Sequence, residues 1–138
     1  MENIRGFGLL VGRVLIAQIF LQSGINKIFH FSQTSQSMAS HNMHAVPMWL
    51  VLAILVELAG AMFLITGMFT RAGALLLILF LVPVTFIFHL EFSVRVQTIM
   101  FVKNLAIIGG LFMVLCAGPG KFSFDWKRRY KEGRKEPA

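Results

Sequence analysis

Arg13, Lys27, Glu57, His89 and Lys103 all stand within or at the ends of long apolar stretches of this chain. An ionisable group in hydrocarbon costs a few kcal/mol on insertion scales, so each of these needs either a partner or a wet cavity. Their spacing places them on defined helix faces. Arg13, Ala17, Phe20, Gly24 and Lys27 recur every three or four residues and share one face. Glu57, Gly60, Leu64 and Gly67 form a second face, and Lys103, Ile107, Gly110 and Val114 a third. Faces that combine charge with small residues suit the interior of a bundle better than lipid.

Other chemistries find little support. The single cysteine, Cys116, excludes an internal disulfide, a CxxC redox pair and a thiolate cluster, and its apolar neighbours point to a buried, inert thiol. His41 and His44 form an HxxH in a polar stretch with no further ligands nearby, so no metal site is expected. His30 and His89 approach the same surface, but no motif supports them as axial haem ligands.

The elements that carry these residues follow from composition. Hydrophobic residues make up 57% of the 138, and charged residues only 14%. Mean hydropathy is +0.74. That leaves too little polar surface to cover a water-soluble globule. A bilayer core needs about twenty apolar residues per helix, and four segments satisfy this, at about 6–29, 46–69, 72–90 and 96–117. The expected fold is an all-α, integral membrane four-helix bundle, up-down-up-down, over residues 1–120, followed by a basic tail over 121–138. Arg13 interrupts the first apolar run and no small-x-small cleavage site follows, so this segment reads as a retained anchor.

Charge sets the orientation. The net charge is +7, and seven of the thirteen Lys and Arg lie after Gly118: Lys121, Lys127, Arg128, Arg129, Lys131, Arg134 and Lys135. With Arg5 and Arg71 they fall on one side, while the stretch from Phe31 to Ala45 has no Lys or Arg. Both termini are therefore expected in the cytoplasm, with the tail against anionic headgroups. No nucleic-acid-binding motif accompanies the charge, so no nucleic-acid partner is expected.

On these spans Arg13 sits ~10 Å from the inner end of its helix and Glu57 ~18 Å from the inner end of its own. Lys103 lies ~10 Å below the outer surface, with Lys27 and His89 within the last outer turn. Two readings follow. In one, Arg13, Glu57 and Lys103 form a structural charge network in which Glu57 pairs with Arg13 or Lys103 and fixes helix register. In the other, Gln22, Lys27, His89, Lys103 and Asn104 line an outward-facing pocket with Glu57 at its floor, offering donors to a small anionic or carbonyl-bearing ligand.

Several segments together resemble the DoxX family of small bacterial four-helix membrane proteins. They are Arg13 with Gly24-x-x-Lys27, His44-Ala45-Val46-Pro47, Glu57-x-x-Gly60 continuing to Gly67-x-x-Thr70-Arg71, and Phe88-His89. Lys103-Asn104-Leu105-Ala106 with Gly109-Gly110, and Gly118 through Asp125, complete the set. Ala61 departs from the pattern, since a second glycine is common there. The resemblance implies a bacterial inner-membrane location and a subunit or accessory role in a quinone- or thiol-linked redox system. It implies quinone as the ligand and a membrane redox partner subunit or a second copy as the partner. A non-catalytic protein that binds a partner or passes a small solute is the alternative.

Alkaline phosphatase, which is active only outside the cytoplasm, should be active when fused after Ser37 and inactive when fused after Lys131. Activity of the fusion after Lys131 would overturn the orientation.

Overall fold

The computed structural model describes residues 2–131, which form α1 (Glu2–Phe29), α2 (Phe31–Ala39), α3 (Val46–Thr66), α4 (Thr70–Phe88), α5 (Arg95–Ala117) and α6 (Phe124–Lys131). Arg134 and Lys135 of the basic tail lie outside the described residues. Helices α1, α3, α4 and α5 are long and apolar enough to cross a membrane. The chain is an all-helical membrane bundle. Large side chains such as Leu55, Leu79 and Met113 are exposed on its flanks, as lipid-facing residues should be.

Local chemistry sets the helix limits. Pro47 lies in the first turn of α3, where its missing N–H costs nothing. Gly67 ends α3 at φ 70° and donates its N–H to the Phe63 carbonyl, so the span stops before residue 69. Gly118, also at positive φ, ends α5, and Pro119 prevents its continuation. The polar stretch after α1 is not simply a loop. It contains the nine-residue α2, whose Met38 is buried against Val46, Leu50 and Ile54 at the outer end of the bundle.

Around the bundle, α1 packs on α3, α3 on α4 and α4 on α5, while α5 meets α1 more thinly. Small residues mark the closest approaches. A Cβ on Gly60 would lie 2.5 Å from Leu77, one on Gly73 2.7 Å from Phe63, and one on Gly110 2.9 Å from Ile16. All three contacts belong to the middle and inner part, where Ala17, Leu64, Ala74, Leu77 and Leu111 are fully buried.

The segment after α5 is bound to the bundle. Asp125 reaches back to the α3–α4 turn, accepting from the Phe69 N–H at Oδ1 and the Thr70 N–H at Oδ2, both at 2.9 Å, while its own N–H donates to the Gly67 carbonyl at 3.0 Å. One carboxylate from a distant part of the chain thus caps α4. Ser123 caps α6 through the Trp126 N–H. Arg13, fully buried, donates Nη2 to the Phe122 carbonyl at 2.7 Å and has Asp125 as its electrostatic partner. The guanidinium fits only because Gly67 has no side chain; a Cβ there would overlap both Arg13 and Ser123.

Two expectations need correction. Arg13 belongs to this inner lock and not to a network with Glu57. Cys116 is exposed on the lipid-facing side of α5, because its position lies off the buried stripe of Ile107, Ile108, Leu111 and Val114.

Removing the cap with Asp125→Ala should lower stability by about 2 kcal/mol, read as an earlier melting transition in detergent. Lys127→Ala on the exposed face of α6 should leave the transition in place. An Asp125→Ala protein that melts like the parent would contradict the lock.

Candidate functional site

Gly24 sets the contact between α1 and α3. A Cβ there would lie 2.8 Å from Leu58 and 3.5 Å from the Glu57 Cβ, so the helices approach closely at this level. Ser23 and Lys27, one turn apart on α1, then flank the Glu57 carboxylate. Lys27 Nζ lies 3.0 Å from both carboxylate oxygens, and Ser23 Oγ donates to Oε1 at 3.0 Å. Lys27 also donates to Ser23 Oγ at 2.6 Å. The Glu57 side chain is 5% exposed and that of Lys27 22%.

Glu57 therefore pairs with Lys27, not with Arg13 or Lys103. Depth counted from span ends does not give register. In the antiparallel pair, Gly24 stands level with Glu57 and Arg13 with Gly67, and Arg13 lies about 16 Å down α1 from Gly24. Lys103 is exposed and points out of the core, whereas the next residue, Asn104, is buried. One residue on a helix turns the side chain by about 100°.

On the opposite wall, Asn104 Nδ2 donates to Thr85 Oγ at 3.1 Å, and Thr85 donates to the Leu81 carbonyl at 2.7 Å. This chain of bonds ties α5 to α4. His89, which ends α4, shares a 2.6 Å hydrogen bond between Nδ1 and Gln97 Oε1 in the first turns of α5. The hydrogen bond shown for Lys103 is a 3.2 Å contact to the thioether of Met100, a weak acceptor.

These residues border one cavity of about 1150 Å³ in the outer half of the bundle. Gln22, Lys27, Glu57, His89, Lys103 and Asn104 all line it, together with Ser23 and Asn26. Arg13 does not. The rest of the wall is mostly apolar and comes from α1, α3, α4 and α5, with Thr34, Ser37 and Met38 of α2 at the outer end. The arrangement is a neutral Lys27–Glu57 pair on one side and a weakly bonded ammonium on the other. It can present hydrogen-bond donors and one uncompensated positive charge to a molecule in the cavity.

Ser23 and Thr85 were not singled out from sequence. Ser23 was legible as a hydroxyl four residues before Lys27 on the same face; Thr85 carried no comparable signal. Of the histidines, His30 bonds the Asn26 carbonyl at 3.1 Å, and His41 bonds the Ser37 carbonyl at 3.0 Å and packs on Phe88. Among the described residues no cluster of three His, Cys, Asp or Glu is placed to hold a metal.

Residues 8–90 match the DoxX family. The chain is 35% identical over 125 residues to the inner membrane protein YqjF of Escherichia coli (strain K12), covering 91% of this chain and 95% of that protein. It is 30% identical over 122 residues to the inner membrane protein YphA of the same strain, covering 85% and 87%. No solved structure matches it significantly.

A double-mutant cycle reads the Glu57 pairing. Lys27→Met leaves the carboxylate without its cation and should cost about 3 kcal/mol in detergent melting, and Glu57→Gln a comparable amount. The double variant should recover much of the loss. Lys103→Met combined with Glu57→Gln should show simple additivity; coupling there and none with Lys27→Met would reverse the assignment.

Proposed function

This chain belongs to the DoxX family and resides in the bacterial inner membrane, and on that premise we propose that it holds a small carbonyl-bearing ligand of the quinone class in its outer-half cavity, as a subunit or accessory protein of a membrane redox system. The observation that supports this most is the placement of Lys103. Lys103 borders an otherwise largely apolar cavity, and its ammonium has a thioether as its hydrogen-bond partner, which a ligand oxygen can replace. A few convergent polar groups in an apolar wall are the usual make-up of a small-molecule site.

In this reading Lys103 donates to one carbonyl oxygen and stabilises the negative charge that develops there on reduction. Gln22 and Asn26 offer amide donors from the facing side of α1. The Lys27–Glu57 pair is a fixed dipole at the wall, and Asn104 and His89 hold α4 and α5 together behind it. Reduction of a quinone takes two electrons and two protons. The electrons would come from a reduced donor on a partner subunit and the protons from water at the outer end of the cavity.

The alternative, a non-catalytic protein, draws on the same hydrogen bonds: Glu57, Asn104 and His89 each have a partner within the protein. Passage of a solute is the less favoured form of it. The inner half is packed from the Ile16–Gly110 contact down to the Arg13–Phe122 bond.

At the inner surface, α6 carries Lys127, Arg128, Arg129 and Lys131, with Trp126 and Tyr130 stacked at 5.2 Å. Held there by Asp125, this short helix is suited to anionic headgroups, with its aromatic rings at the interface.

Protein purified in mild detergent should retain quinone, visible in its ultraviolet spectrum and after solvent extraction. Lys103→Met should lower retention about tenfold or more, the loss expected for one charge-assisted hydrogen bond, while Arg95→Ala leaves it unchanged. Equal retention by Lys103→Met and the parent would remove the ligand reading and favour the structural one.

A further inference from the structure

The cavity is larger than a single small head requires, and its walls are of two kinds. Small-molecule pockets run to about 300–1,000 Å³, and this one holds about 1150 Å³. One zone is polar, with Gln22, Asn26, Lys27, Glu57 and Lys103. The other is formed by Leu52 and Val56 of α3 and by Leu76, Leu79, Phe80 and Pro83 of α4, with no polar side chain among them. Leu52 and Leu79 in this second zone are 47% and 65% exposed on the lipid-facing surface. The same cavity that borders Glu57 and Lys103 thus has lining residues of both α3 and α4 on the lipid-facing surface.

The packing of α3 and α4 accounts for this opening. In the inner half Gly60 and Gly73 admit Leu77 and Phe63 and draw the two helices together. Toward the outer end Ala53 is the one small residue of α3 on the cavity wall, and Leu52 and Val56 of α3 line the cavity with Leu79, Phe80 and Pro83 of α4. Pro83 also leaves the Leu79 carbonyl without its helical donor and bends helices where it occurs.

The aqueous side, by contrast, is roofed. Met38 of α2 is buried against Val46, Leu50 and Ile54, with Met43 and Phe88 packed beside them. The His41 ring lies on Phe88 at a centroid distance of 4.7 Å. Leu52 and Leu79, at the apolar end, have no such cover and are exposed.

From these observations we infer that the ligand is a membrane-dissolved amphiphile, which enters laterally between α3 and α4 and leaves its apolar chain in that groove while its polar head meets Lys103, Gln22 and Asn26. This rests on the ligand reading above and adds the ligand's class and route. The head is a carbonyl or anionic oxygen group, because the polar zone carries one positive charge beyond its neutral pair. The chain is required by the apolar zone, which gives a polar molecule nothing to bond.

The test uses the full chain in lipid nanodiscs and two probes. A tail-less benzoquinone reports on the head site by quenching Trp49, which lines the cavity, in a Trp126→Phe background. A benzoquinone with a diazirine in the middle of its alkyl chain reports on the groove by photolabelling, mapped by mass spectrometry. The expected result is saturable quenching by the first, and labelling by the second concentrated in residues 52–56 and 76–83. Excess unlabelled long-chain quinone should reduce that labelling at least fivefold. The double variant Leu52→Phe/Leu79→Phe, at lipid-exposed positions, should cut groove labelling about fivefold and leave quenching by the tail-less probe unchanged. Saturable quenching with labels spread evenly over α5 positions such as Leu105 and Met113, or not competed, would overturn the lateral groove and leave the head site standing. Absence of saturable quenching would overturn both.

Discussion

A carboxylate near the middle of a bilayer must be neutralised where it stands, and at Glu57 this requirement decides how α1 and α3 meet. Lys27 supplies the charge and Ser23 a further hydrogen bond, both from one face of α1. Gly24, on that same face, lets α3 come near enough for these bonds to form. Fixing this level fixes the whole antiparallel pair, and so brings Arg13 opposite Gly67. That in turn forms half of the seat for Phe122 and Asp125. The cap on α4 and the seat of α6 are formed in the same register.

The consequence is a bundle with two unlike ends. The inner end is closed by bonds between parts of the chain far apart in sequence: Arg13 to Phe122, and Asp125 to Phe69 and Thr70. These use backbone carbonyl and amide groups as well as charges, so they tolerate little displacement. The outer end keeps one such approach, at Gly24 between α1 and α3, and borders a cavity. A membrane protein has no hydrophobic force to pull its helices together, so the closest packing falls where small residues allow it. The sealed end supplies the rigidity that lets the other end stay open, and the weakly bonded Lys103 lies at that open end.

Much of this was legible in the sequence. The apolar segments and the shared faces of Arg13 to Lys27 and of Glu57 to Gly67 follow from helical periodicity, and depth in the spans singled out Gln22, Lys27, Glu57, His89, Lys103 and Asn104, which border the cavity. What was not legible depends on register and on the backbone. Span ends are diffuse, so depths counted from them put Arg13 and Lys103 within reach of Glu57 when Lys27 is the partner. The carbonyl of Phe122 and the amides of Phe69 and Thr70 have no side-chain signature, so a basic tail gave no sign of being fastened to the turn after α3. Lys103 and Asn104 are neighbours in sequence, yet the core takes Asn104 and excludes Lys103. The helical nature of α2 was hidden by its polar composition, with Met38 its one buried residue.

An experimental density map of the protein in nanodiscs of its own membrane lipids would test the account most directly. It should show Lys27 in contact with the Glu57 carboxylate, and an elongated density whose polar end lies within hydrogen-bond distance of Lys103 Nζ and whose other end runs between Leu52 and Leu79. A map in which α3 and α4 close over that path, with Lys103 turned to the headgroups and nothing but solvent beside Glu57, would contradict it.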